Sequence, residues 1–265
     1  MSLTLVLGRC DSLRAEVFLR ASLQTGVTPS DAVITGTLKG PECRRAITLP
    51  VTARFVVLPS DRDAATIVAR TILTEPSYWT PELPNLYRLD ARLMVGDREI
   101  GTCQRPVGLR RFGVRGRSFW LDGRRFVPRG LVMPERDIDV SQFRGASLTA
   151  MVADPSEAFL DLCDAEGVPV IAILSDAGGS PMTVDVARER IATWAWHASV
   201  LMAVVSLTAQ DTDGSRIADA TRGSRGTLLL AQEVDGAIPP PEVASGIDAF
   251  IVSLKANRGP HPAWR

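Results

Sequence analysis

Lysine is nearly absent from this 265-residue chain: of its 30 basic residues only Lys39 and Lys255 are lysines, and the rest are arginine. The deficit reads as the base composition of a genome rather than a phosphate-binding design. Histidine occurs twice, at His197 and His261. Four cysteines, Cys10, Cys43, Cys103 and Cys163, stand far apart, and none falls into a C-x-x-C spacing. That excludes a zinc motif or a redox dithiol and leaves free, mostly buried thiols in a reducing compartment. There is no P-loop, and the glycine-rich "SDAGGSP" lacks phosphate-loop spacing. No apolar run reaches the roughly 18 residues that span a bilayer. The start "MSLTLVLGRC" lacks the basic n-region of a secretory signal, and Arg9 before Cys10 argues against a lipoprotein cleavage site. With 30 basic and 30 acidic residues the formal charge is zero, which gives no basis for a nucleic-acid surface. The expectation is a cytoplasmic protein, soluble or peripherally attached to a complex, with no cofactor.

What is present is globular: 45% hydrophobic and 23% charged residues. Two rhythms divide the chain. In the first, "SLRAEVFLRASLQ" and "AITLPVTARFVVL" alternate apolar and polar positions, with turn signals such as "KGPE" between such runs. "NLYRLDARLMVGDREIGTCQ" reads as strand, Gly-Asp turn, strand. About seven short strands in about 100 residues is the pattern of an immunoglobulin-like sandwich. After "VGLRRFGVRG" six near-continuous apolar runs follow: "RFVPRGLVM", "ASLTAMVA", "VPVIAIL", "SVLMAVVSL", "GTLLLAQEV" and "IDAFIVSL". Helical segments lie between some of them. "PSEAFLDLCDAEG" carries Ala158, Leu162 and Ala165 in its apolar stripe and Gly167 as its C-cap; "TVDVARERIATWAWHA" is the second. Apolar strands alternating with helices imply a parallel sheet covered on both faces.

At the junction of the two rhythms the sequence becomes specific. "EPSYWTPELPNLYRLDARL", with Trp79, Pro81, Pro84, Leu86 and Tyr87, resembles the last strands of the immunoglobulin-like domain in glycoside hydrolase family 2, the β-galactosidase/β-glucuronidase family. "VGLRRFGVRGRSFWLDGRRFVPRGL" is similar to that family's linker into its catalytic barrel through Gly108, Arg110, the turn Leu121-Asp122-Gly123, and Arg129-Gly130. "FLDLCDAEGVPVIAI" resembles a helix and the third strand of the same barrel. The resemblance implies an immunoglobulin-like β-sandwich over residues 1–113 and an incomplete, about six-stranded TIM-type β/α barrel over 114–265. The matching residues build structure: Trp79 and Tyr87 offer amphipathic rings for a seam between domains, and Asp122-Gly123 is a hairpin turn.

The chemistry departs from the family. Retaining glycosidases need two carboxyl groups about 5–5.5 Å apart. After the fourth parallel strand, where the family carries Asn then the acid/base Glu, this chain reads Ala209 and Gln210. A glutamine amide hydrogen-bonds a sugar but delivers no proton at neutral pH. A seventh strand, which would carry the nucleophile, is not found among the six runs. Val132, Met133 and Pro134 stand where Asn and His are usual, and "LTAMVADPSE" lacks the usual Arg and His-Tyr. Of the acids expected at strand ends (Glu135, Asp154, Asp176, Asp211 and Glu233), Asp211 and Glu233 form the substitute pair to consider; solvated loop acids or helix caps are the favoured reading of all five. His197 is expected to be structural, and Trp194 and Trp196 to pack a helix on the sheet. Ser206 has no Gly-x-Ser-x-Gly elbow.

The resemblance therefore implies a pseudoenzyme: a catalytically inactive glycoside-hydrolase-like protein serving as a binding or scaffold subunit of a larger assembly. The alternative is a glycosidase or carbohydrate-binding protein with a non-standard or partner-completed site, and a third reading is the remnant of a decayed gene. Six strands leave open edges. These are expected to be covered by another protein chain, a second copy or the "GPHPAWR" tail, with a membrane-associated complex among the candidate assemblies. Carbohydrate is the less favoured partner.

Overall fold

Apolar residues at alternate positions turn one face of four early strands inward. In β2 (Arg14–Ser22) Ala15, Val17, Leu19 and Ala21 are buried, and in β6 (Thr66–Thr74) Ile67, Ala69 and Leu73. β3 (Ala32–Glu42) buries Ala32, Ile34 and Leu38, and β7 (Leu86–Val95) buries Tyr87, Leu89, Ala91 and Leu93. With β1 (Leu3–Cys10), β4 (Val51–Arg54), β5 (Val56–Val57) and β8 (Arg98–Val107) they form two antiparallel sheets, ordered β1-β2-β6-β5 and β4-β3-β7-β8. The structure is a computed structural model and describes residues 3–23, 31–59, 66–175, 182–206, 214–242, 244–254 and 259–264. It divides into two units, Met1–Arg111 with Leu121–Gly123, and Phe112–Trp120 with Arg124–Arg265.

In the first unit the Gly-Asp turn falls where expected, between β7 and β8, with Gly96 at φ 56°. "AITLPVTARFVVL" behaves differently from its alternation. Ile47 and Leu49 lie in an irregular segment and are fully exposed. The run then splits into β4, on one sheet, and β5, on the other, switching at the buried Phe55, whose N–H donates to Gly36 O at 3.0 Å. Between β6 and β7 the Trp-Pro segment is fixed by its own polar contacts. Tyr87 Oη accepts the Ser77 N–H (2.9 Å), Asn85 Nδ2 donates to Tyr78 O (3.0 Å), and Arg45 donates to Pro81 O (3.0 Å). All four cysteines are free; Cys163 is buried and the other three are half-buried, so fewer thiols are buried than the sequence suggested. Burial pushes the thiols of Cys10, Cys103 and, most strongly, Cys163 upward, away from reactive thiolate.

The second unit opens with a three-stranded sheet, β11-β10-β9, of β9 (Phe112–Arg115), β10 (Ser118–Leu121) and β11 (Arg124–Phe126). Asp122 (φ 48°) and Gly123 (φ 78°) form its second turn, both left-handed as a type I′ hairpin requires. All six apolar runs then become parallel strands in chain order: β12 (Gly130–Val132), β13 (Thr149–Ala153), β14 (Val170–Leu174), β15 (Val200–Val205), β16 (Leu229–Asp235) and β17 (Ala249–Ser253). Helices α1 (Val140–Gly145), α2 (Glu157–Glu166), α3 (Val184–Trp194) and α4 (Gly214–Thr221) follow β12 to β15 in turn. One sheet face, with Ala150, Val170, Ala172, Ala203 and Leu230, packs in a core with Leu160, Ile191, Trp194 and Ile217 of the helices. The other face carries Ile171, Met202, Val204 and Ala231, with Phe119 against them.

α2 starts and stops as its sequence dictates: Ser156 Oγ accepts the Phe159 N–H, and Gly167 (φ 76°) returns its N–H to Cys163 O. Its buried stripe, however, is Phe159, Leu160, Cys163 and Asp164, while Ala158 and Leu162 are exposed and Ala165 is half-buried. Phe159 and Leu160, with Cys163, bury more apolar surface than two alanines and one leucine would, and the rotation that follows carries Asp164 inside.

Gly130 has a steric reason to be glycine. A Cβ there would lie 1.8 Å from Thr149 O, the residue it pairs with across β12 and β13. Gly130→Ala is expected to cost about 1–3 kcal/mol by forcing the strands apart. Urea unfolding reads the loss; an unchanged midpoint would mean that the strand shifts freely.

Candidate functional site

Strand parity assembles the site. Along β16, Leu230 faces the helices, whereas Leu229 and Ala231 face the other way, and Glu233 is next in that second row. Pairing of Val205 with Gln232 brings Ser206, the residue after β15, beside it. Ser206 Oγ donates to Glu233 Oε2 at 2.9 Å, and Ser253 Oγ, at the end of β17, donates to Glu233 Oε1. Each carboxylate oxygen thus accepts a hydroxyl from a neighbouring strand. The group is half-buried and acts as a clasp across three strands at their C-terminal ends.

Two more of the strand-end acids, Asp154 and Glu135, are also engaged. Asp154, in left-handed backbone (φ 46°) after β13, pairs through Oδ1 with Arg190 of α3 and accepts Ser175 Oγ on Oδ2 at 2.8 Å. Arg190 also donates to Ser175 O at 3.0 Å. Glu135 accepts the Ser156 N–H at 2.8 Å, tying the start of α2 to the segment after β12. Gln210, Asp211 and Asp176 lie outside the described residues, as do Ala209 and most of "SDAGGSP". The structure therefore describes Glu233 of the substitute pair but not its distance to Asp211. Ser206, without an elbow, donates to a carboxylate and has no imidazole in that contact. Sequence reasoning passed over Ser253, Ser175 and Arg190; strand parity with parallel pairing would have found Ser206, but Arg190 depends on the rotation of α3.

At the opposite ends of the strands, His197 precedes β15 and is buried. Its Nδ1 lies 2.9 Å from Asp164 Oδ2, and Asp164 Oδ1 accepts the Ser199 N–H at 2.7 Å. Asp161 Oδ1 is 3.7 Å from the same ring nitrogen and more than half exposed. Among the described residues, these three bring potential ligand atoms within 4.8 Å of one another. The 2.9 Å contact is a direct hydrogen-bond distance, so a proton shared by ring and carboxylate satisfies the geometry. Trp194 packs in the helix-covered core. His261 donates its N–H to Gly236 O (2.8 Å), and Trp264 packs edge-on against Phe250 of β17 while its indole N–H donates to Ile238 O (2.8 Å).

Residues 14–110 match the model of the glycosyl hydrolases family 2. No curated protein matches the chain. Among solved structures, a Parabacteroides merdae β-glucuronidase is similar over 97% of this chain and 37% of its own, at 17% identity and a TM-score of 0.59. A family 2 member from Bacteroides cellulosilyticus is similar over 89% of this chain and 35% of its own, at 18% identity and a TM-score of 0.64. A Bacteroides uniformis β-glucuronidase shares 15% identity over 88% of this chain and 33% of its own, with a TM-score of 0.57. The chain spans about a third of these proteins' length. It is a relative of glycoside hydrolase family 2 through residues 14–110, and over both its units it has the fold of part of those enzymes.

Proposed function

We propose that this protein is a glycoside-hydrolase-like binding or scaffold subunit without glycosidase chemistry: an immunoglobulin-like sandwich joined to a partial TIM-type barrel that has kept its packing and exchanged its acids. The carrying observation is the state of Glu233, whose two oxygens each accept a serine hydroxyl. A carboxylate so engaged holds strands together; to work as an acid or nucleophile it would have to break those bonds and face a second carboxyl about 5–5.5 Å away. The sequence supplies Gln210 where the resemblance expects the acid/base. Asp154 and Glu135 have structural partners of their own. The same sheet face is lined by Ile171, Met202 and Val204, side chains suited to packing rather than to binding hydroxyls. On this reading the protein works in the cytoplasm, and a partner chain or second copy covers strand β12, where Leu131 and Val132 are more than half exposed.

Aryl β-galactosides and β-glucuronides test the proposal. The purified protein is expected to release no more aryl alcohol than its Glu233→Gln and Asp211→Asn variants. Turnover by the wild type that either substitution abolishes would overturn it in favour of a glycosidase using Asp211 and Glu233.

A further inference from the structure

Charge is balanced over the chain but not over the sheet that opens the second unit. Residues 112–129 hold five arginines, Arg115, Arg117, Arg124, Arg125 and Arg129, against a single acid, Asp122. Asp122 is already taken: Arg111 Nε donates to its Oδ1 at 2.8 Å. All five arginines are exposed, and none has an acidic partner among the described residues.

Strand alternation sorts them. Phe112, Phe119 and Phe126 meet on one side of the sheet, with centroids 5.6 and 6.0 Å from Phe112. Arg115, Trp120 and Arg125 have the opposite parity and share the other side. The two-residue turn at Asp122-Gly123 sets Arg125 across from Trp120, and the Arg115 guanidinium lies 5.5 Å from the Trp120 ring centroid on its other flank. One cation thus lies over the indole and a second stands across from it in register on a short sheet, with Arg117 in the adjoining turn.

We propose that this arginine-tryptophan face is the docking surface for an acidic segment of a partner protein, a role that rests on the binding-subunit reading and names its partner's chemistry. Planar guanidinium groups take carboxylates through two parallel hydrogen bonds. The sheet, with strands of three or four residues, matches a short extended peptide. A duplex or a bilayer is a wide polyanion, and beyond about 8 Å of screening it would meet a molecule whose charge sums to zero.

A fluorescein-labelled peptide of ten glutamates is the probe, followed by anisotropy at low and at near-physiological salt. Binding that weakens with salt is expected, with affinity falling at least tenfold in Arg115→Glu/Arg117→Glu/Arg125→Glu and less in the corresponding glutamine variant, whose circular dichroism checks folding. Arg20→Glu/Arg54→Glu/Arg98→Glu, an equal charge change on exposed residues of the first unit, is expected to lose far less. Equal loss in both glutamate triples, or no wild-type binding at low salt, would overturn the proposal. So would tighter, equally arginine-dependent binding of a 20-base-pair duplex or of phosphatidylglycerol vesicles. No sugar enters this assay, so its failure leaves the non-hydrolytic reading standing, and aryl glycoside turnover leaves the docking surface standing.

Discussion

Asp164→Ala is expected to destabilise the protein by about 3–5 kcal/mol, the cost of removing one member of a buried polar pair. Asp164 is 4% exposed and His197 1%, so water cannot replace what is lost. Alanine would take a hydrogen-bond partner from two groups at once: the His197 ring nitrogen, 2.9 Å from Oδ2, and the Ser199 N–H, 2.7 Å from Oδ1. Each buried hydrogen bond so lost costs about 1–3 kcal/mol. Asn is the informative second variant. Its Oδ1 can still accept from Ser199, and its amide can donate to His197 once the ring adopts the other tautomer, so Asp164→Asn is expected to lose less than half as much. Urea midpoints at constant slope measure both. An alanine variant within about 1 kcal/mol of wild type would mean that the pair contributes nothing net, the outcome known when desolvation cancels attraction.

Trp79→Ala is expected to cost a similar amount, about 3–5 kcal/mol, by opening a cavity the size of an indole. Trp79 is wholly buried, and its backbone N–H donates to Leu109 O at 2.7 Å. The backbone there is also pinned nearby, by Asn85 to Tyr78 O and by Tyr87 to the Ser77 N–H, so the loop cannot collapse into the space. Trp79→Phe should recover more than half of the loss. A Trp79→Ala variant as stable as Trp79→Phe would show that the site repacks.

Much of the fold was legible because its causes are local. A period of two reports a half-buried strand wherever it occurs, and it marked β2, while the Gly-Asp turn set β7 apart from β8. Near-continuous apolar runs marked all six parallel strands, since residues buried on both faces need no alternation. Gly167 closed α2 at the expected residue because caps act within one helical turn. The same local reading failed at "AITLP", whose alternation is real but whose chain switches sheets at Phe55 and leaves Ile47 and Leu49 outside. It failed again on α2, where the stripe rotates to Phe159, Leu160, Cys163 and Asp164.

By itself, the sequence determined the six parallel strands and their order, the Gly-Asp and Asp-Gly turns and the presence of Gln210 after the fourth parallel run, since each depends on residues a few positions apart. Tertiary structure alone decided what the polar side chains do. His197 meets an aspartate 33 positions away, and Glu233 meets serines 27 and 20 positions away on the flanking strands. Such partners are fixed by the phase of a helix and the register of a sheet, which the whole core sets at once, and no local pattern in the chain encodes them.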